Sequence, residues 1–181
     1  MLILASASPR RHQILTEAGI PHLVRPASIP EDRHPGEPAL SFVQRIAREK
    51  ASALECGPDD IILGADTVVL LDDEVFGKPL DERDAARMLR LLSGRGHIVC
   101  TGICLRSRKR IISDVAETNV SFVPLTEDEI QEYTRSGEPK DKAGAYAIQG
   151  LASKFVSKIE GCYQNVVGLP ISLVYSHLSS L

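Results

Sequence analysis

Tryptophan is absent from this 181-residue chain, and only 4 Tyr and 4 Phe are present. So few rings offer little platform for stacking single-stranded bases, which argues against nucleic acid as a partner. A basic excess is missing as well. The 21 Lys+Arg and 24 Asp+Glu leave a formal net charge of −3. No bulk field draws such a molecule to nucleic acid or to an anionic membrane, so any cluster of cations must be a local device. No apolar run is long enough to span a bilayer, and no secretory pattern occurs. A soluble cytoplasmic protein is the expectation. The 4 cysteines, Cys56, Cys100, Cys104 and Cys162, lack zinc-finger spacing. Cys100 and Cys104 fall in a strand-like stretch, ~13 Å apart at the usual rise, too far for a disulfide. Buried reduced thiols are expected. Two nucleotide motifs are also missing. Gly77-Lys78 is followed by Pro79 instead of Ser or Thr, and Gly94-x-Gly96 has no third glycine. His12, His22, His34, His97 and His177 show no metalloprotease or Ser-His-Asp spacing, and none is assigned to catalysis.

What is present alternates between helical and extended patterns. Leu2–Ala5 reads as a strand. Ser8 and Pro9 then suit the N-cap and first position of a helix that runs to Gly19. His22–Arg25 predicts a second strand, and Pro26, Pro30, Pro35 and Pro38 a loop around Glu31, Asp32 and Arg33. Leu40, Val43, Ile46, Ala47, Ala51 and Leu54 form the apolar stripe of a helix over residues 39–55. Lys50 lies at the edge of that stripe, where a lysine either snorkels or reaches into a cleft. Ile61–Gly64 and Val68–Leu71 read as strand halves interrupted by Ala65-Asp66-Thr67. Asp72-Asp73-Glu74 predicts a hairpin turn, and Asp81 caps the next helix. Two long antiparallel strands follow, over 97–106 and 111–123, and Thr126 to Glu129 is a capping box. A Gly-rich segment, a short strand and a C-terminal helix complete the chain. The class is α/β with a mixed sheet, elongated and with a central cleft, in a single domain over 1–181.

The chemistry gathers at a few positions. Arg10 and Arg11 stand at a helix N-terminus, where the dipole is already positive. They are poor for the helix and good for an anion, so the segment reads as a phosphate receptor. Asp66 is a carboxylate between apolar strand halves, which costs several kcal/mol if buried alone. It is either a turn or ion-pair residue, or a metal ligand or general base. With Arg10, Arg11, Lys50 and Lys78 it would suit a triphosphate and a divalent ion. Each cation taken singly reads as a solvated charge. Glu31 or Asp32 could complete an oxygen ligand set with Asp66 for Mg²⁺ or Mn²⁺.

Six stretches together resemble a known family. They are Leu4-Ala-Ser-Ala-Ser-Pro-Arg-Arg11, Arg48-Glu-Lys50-Ala51, Gly64-Ala-Asp66-Thr67-Val68, Gly77-Lys-Pro79, Asp141-Lys-Ala-Gly-Ala-Tyr-Ala-Ile-Gln149-Gly150 and Val166-Val-Gly-Leu-Pro170. The chain resembles the Maf-type nucleoside triphosphate pyrophosphatases nearly end to end. That resemblance implies a fold like inosine-triphosphate pyrophosphatases, a divalent metal (Mg or Mn), a cytoplasmic location and a homodimer. It implies hydrolysis of a nucleoside triphosphate between the α and β phosphates. Asp66 matches the proton acceptor, joined by Lys78 in the catalytic set. Arg10, Thr67 and Gln149 match positions tied to substrate choice, and Ser8, Arg11 and Lys50 join the substrate-binding group. Glu31 and Asp66 are the expected metal ligands. Arg10 and Gln149 match the branch that prefers dTTP and UTP, in place of the 7-methyl-GTP branch. A different expectation from the same family is a nucleotide-sensing regulator of septum formation with a protein partner. Gln149 suits the first reading physically. Its amide offers one donor and one acceptor in a plane, as the imide edge of uracil or thymine requires.

Overall fold

Leu2, Ile3 and Leu4 are all buried. A strand apolar at every position belongs inside a parallel sheet. In the computed structural model, which describes residues 1–180, β1 (Leu2–Leu4) pairs in parallel with β2 (His22–Val24) and with β3 (Ile61–Leu71). Parallel neighbours need crossovers. α1 (Pro9–Glu17) supplies the first, and α2 (Ala39–Ser52) precedes β3. The chain thus steps from β1 out to β2 and returns past β1 to β3.

β4 (Glu74–Phe76) folds back antiparallel on β3, with Leu71 opposite Glu74, as the hairpin turn predicts. α3 (Glu82–Leu92) follows, and the Asp81 carboxylate accepts from the Asp84 N–H at its start. β5 (Gly96–Arg106) and β6 (Ile111–Phe122) are sheet neighbours joined by a turn in which Ser107 N–H donates to Arg110 O. α4 (Glu127–Arg135) begins with the expected Thr126/Glu129 capping box. β7 (Val156–Glu160) pairs antiparallel with β6, and α5 (Tyr163–Val167) and α6 (Ile171–Leu178) end the chain. The sheet order is β2-β1-β3-β5-β6-β7, with β4 on β3. The mixed α/β class is therefore observed.

Three details differ from expectation. β3 is not interrupted: Asp66 stays in the strand, because a buried carboxylate is tolerated when a cation meets it. α2 stops at Ser52, leaving Leu54 outside the helix, and Leu40 is exposed on its first turn. Ser8 occupies the N-cap of α1 without a side-chain cap bond; its N–H donates to Ser6 Oγ instead. All four cysteines are free, and Cys100 and Cys104 are buried. Burial pushes the Cys104 thiol pKa up, which favours the neutral form.

Contacts divide the chain into two compact units, and β3, β5 and β6 contribute residues to both. The first holds Met1–Asp66, Cys100–Ala116 and the chain from Gly168 onward; the second holds Thr67–Val99 and Glu117–Val167. A core cluster of the first unit is made of Ile3, Ala5, Ala47, Ala51, Ile62 and Cys104. Small residues let α2 lie very close to the sheet. A Cβ on Gly64 would stand 2.0 Å from Ala47 O, and one on Gly102 would stand 2.3 Å from Val43 O. The second unit is built around aromatic edges. Phe122 packs T-shaped on Tyr146 and His97, and Tyr133 does the same on Phe155.

Candidate active site

Asp66 lies three residues past Leu63, the partner of the last residue of β1. This is where the chain order reverses between β1 and β3, and open α/β sheets bind ligands beyond the carboxyl ends of strands at such points. The approach of α2 at Gly64 decides what faces Asp66. Lys50, one residue before Ala51, is carried to the strand, and its Nζ donates to Asp66 Oδ1 at 2.8 Å. The same ammonium pairs with Glu31 Oε1 at 3.0 Å. Lys50 is 6% and Asp66 7% exposed, whereas Glu31 is exposed. Lys50 thus reaches inward instead of snorkelling to solvent.

Arg11 has a different setting from the one expected of a phosphate-facing cation. It is 8% exposed. Its Nε donates to Gly168 O at 2.8 Å, and its Nη1 to Ala65 O at 2.9 Å and Ser6 Oγ at 3.1 Å. Burial lowers its pKa, while Asp66 and Glu31 act in the opposite direction. The guanidinium ties the turn after β1 to β3 and to the segment before α6, so its charge is held beside Asp66 by backbone carbonyls. Arg10 and Ser8, next to it at the start of α1, are half-buried.

Glu31 sits in the Pro-rich loop, and α2 fixes that loop. Arg45 grips Glu37 with Nε to Oε1 at 2.7 Å and Nη2 to Oε2 at 2.8 Å. Its Nη2 also donates to Asp32 O at 2.9 Å. The Arg45 bond holds the Glu37 carboxyl pKa down at about 2. Asp32 therefore supports the loop through its carbonyl, while Glu31 is the acid brought to Lys50.

The other expected residues belong to the second unit. Thr67 follows Asp66 in β3 and is half-buried, and Lys78 is exposed just beyond β4. Gly77 O accepts from Gly144 N at 3.0 Å, which joins the Lys78 segment to the Gly-rich stretch. Gly144 has φ +67 and packs against Val69, where a Cβ would stand 2.7 Å from Val69 Cγ2. Gln149 is exposed at a turn in which Gly150 N–H donates to Ala147 O at 3.2 Å.

Ser6 and the carbonyls of Ala65 and Gly168 escape a reading of the sequence. The Ser6-Ala-Ser8 repeat offers a weak signal for the first. Carbonyl partners 54 and 157 residues along the chain from Arg11 offer none.

The chain matches the family model described as Maf-like protein over residues 1–181. It belongs to the Maf family. A dTTP/UTP pyrophosphatase of Koribacter versatilis is 50% identical over 175 residues, covering 96% of this chain and 91% of that protein. A dTTP/UTP pyrophosphatase of Anaeromyxobacter sp. is 51% identical over 176 residues, covering 94% and 84%. A solved HAM1 protein from Coxiella burnetii superposes with a TM-score of 0.53 over 99% of this chain and 98% of that one. At 13% identity, that likeness concerns the Maf fold alone.

A divalent ion can be tested against the donors. Among the described residues, no group of three or more His, Cys, Asp or Glu is poised to hold a metal. Two carboxylates, Asp66 and Glu31, do converge on one ammonium. Mg²⁺ is commonly held by one or two carboxylates with substrate phosphates and water completing the shell. The donor set fits an ion that arrives with a nucleotide.

Proposed function

We propose that this Maf protein hydrolyses dTTP and UTP between the α and β phosphates, releasing the monophosphate and pyrophosphate. The observation that carries the reading is the buried Asp66–Lys50 pair at the reversal point of the sheet. It stands in a chain about half identical to relatives named for this activity.

Asp66 is the general base. A carboxylate on a rigid strand, fixed by an ammonium at 2.8 Å, keeps one orientation toward an attacking water. The water oxygen bonds to the α phosphorus, its proton passes to Asp66, and the α–β bridging bond breaks with its electrons on the leaving pyrophosphate. Arg10 and Lys78 offset the charge of the triphosphate directly, the buried charges of Arg11 and Lys50 add to the field from behind their own partners, and Ser8 belongs to the same phosphate-binding turn. Glu31 and Asp66 would hold Mg²⁺ or Mn²⁺, which draws charge from the phosphates when bound. Gln149 reads the imide edge of the base, with Arg10 and Thr67 sharing substrate choice. The whole chain, 1–181, acts as one catalytic domain.

Hydrolysis of UTP in heavy-oxygen water tests the point of attack. The label is expected in UMP, with unlabelled pyrophosphate. Label in the pyrophosphate, or release of UDP and inorganic phosphate, would overturn the assignment.

A further inference from the structure

Gln149 is exposed at a turn tip, and an exposed amide on a free loop would discriminate bases poorly, because the plane of its donor and acceptor must be held in one orientation toward the base. The second unit holds that turn from both ends with a single pair of side chains. Tyr133, on α4, is buried, and its hydroxyl donates to Glu138 Oε1 at 2.9 Å. The same hydroxyl accepts from Ala147 N at 3.2 Å, two residues before Gln149. The other oxygen of the carboxylate, Glu138 Oε2, accepts from Leu151 N at 3.0 Å, two residues after Gln149.

Gly150 completes the arrangement. A Cβ there would stand 2.3 Å from Glu138 Oε2, so a larger residue at 150 would displace the carboxylate from the turn. Beneath the tip, Ile148 is buried. The partners are themselves fixed. The Tyr133 ring packs edge-on against Phe155 with centroids 5.4 Å apart, and Glu138 N donates to Ser136 Oγ at 3.2 Å just past Gly137. Burial, with Glu138 adding to it, pushes the Tyr133 pKa up, so the phenol keeps the proton it donates.

From this geometry we infer that Tyr133 and Glu138 are positioning residues for base selection: they clamp the 147–151 turn and thereby hold the Gln149 amide in the orientation that reads a pyrimidine imide. The inference rests on the assignment of base reading to Gln149. Neither residue need touch the nucleotide. Their loss should blur selectivity and raise KM, with kcat and the melting temperature affected much less, because the Tyr133 ring and the Glu138 backbone stay in place.

The test compares catalytic efficiency for dTTP with that for GTP in wild type, Gln149→Ala, Tyr133→Phe, Glu138→Ala, Glu138→Gln and Tyr133→Phe/Gln149→Ala. Tyr133→Phe should lower the dTTP/GTP ratio by ~10-fold, a loss in keeping with one misaligned polar contact, and act through KM. Glu138→Ala should do the same, and Glu138→Gln should restore part of the ratio, since an amide oxygen can still accept from Leu151. The double variant should match Gln149→Ala alone. If Gln149→Ala leaves the ratio unchanged, Gln149 does not read the base and the clamp loses its purpose. If Gln149→Ala lowers the ratio while Tyr133→Phe and Glu138→Ala do not, base reading stands and the clamp is wrong. Equal loss on both nucleotides, or a fall confined to kcat, also overturns it.

Discussion

Asp66 and Lys50 show how one pair of side chains serves both the fold and the proposed chemistry. Each is nearly inaccessible, and each is the other's close partner at 2.8 Å. Removing Lys50 takes the direct partner from a buried carboxylate, a change that costs about 3–5 kcal/mol, whereas replacing both with apolar groups is often neutral; removing the Asp66 charge instead still leaves Lys50 paired with Glu31. Lys50→Met is therefore expected to lower unfolding free energy by roughly that amount in urea titration. Lys50→Met/Asp66→Leu should recover most of it and hydrolyse nothing. If the double variant is no more stable than the single one, the pair is not coupled as described. Arg11 teaches a related lesson. Its position at the start of α1 suggests an exposed cation, yet its guanidinium is spent on Ser6 and on the carbonyls of Ala65 and Gly168. A sequence window cannot reveal that, because the acceptors are backbone atoms from remote segments. Asp66 itself was legible, since a lone acid in an apolar strand demands a partner.

At the scale of elements, the close approach of α2 to β3 decides the site. The helix was readable from its apolar spacing, and the glycine at 64 from the strand. Their contact was not, because it depends on which helix crosses which strand. Gly64→Ala would drive a Cβ to within 2.0 Å of Ala47 O. The helix must then shift, at a cost of about 1–3 kcal/mol or more, and Lys50 must move off Asp66. Lower stability and a sharp loss of activity should appear together. A control comes from the capping box of α4. Thr126→Ala should cost about 1 kcal/mol with turnover unchanged, since the cap bond to Glu129 is local. Normal activity in Gly64→Ala would separate the helix approach from function. Local signals such as the Asp81 cap, the Thr126 box and the Asp72 hairpin were all visible in the sequence, because each is decided within four residues. The uninterrupted course of β3 was not, because Lys50 on another element is what lets Asp66 remain in it.

For the whole molecule, acid stability follows from buried and paired groups with separate windows. His97 is buried against Tyr146, with Nε2 at 2.8 Å from the hydroxyl and Nδ1 without a hydrogen-bond partner among the described residues. Burial lowers its pKa from 6.5 to about 4. The unfolded chain therefore takes up a proton at this residue before the folded one does. Its contribution is complete above pH 6.5 and is lost as pH falls toward 4. The loss should be about 3 kcal/mol, seen as a urea midpoint that falls more steeply across this window in wild type than in His97→Gln. Equal slopes would contradict it. Glu37 and Glu127, both held down to about 2 by arginine bonds, add losses only below 4.5. Pyrophosphate release from dTTP, UTP, CTP, ATP, GTP and 7-methyl-GTP with Mg²⁺ or Mn²⁺, in wild type and in Asp66→Asn, shows what the folded chain does with nucleotides. Highest efficiency is expected with dTTP and UTP, with a loss of ~10²-fold or more in the variant, the usual range for a missing general base, at an unchanged fold. Preference for a purine nucleotide, or near-normal turnover by Asp66→Asn, would contradict it.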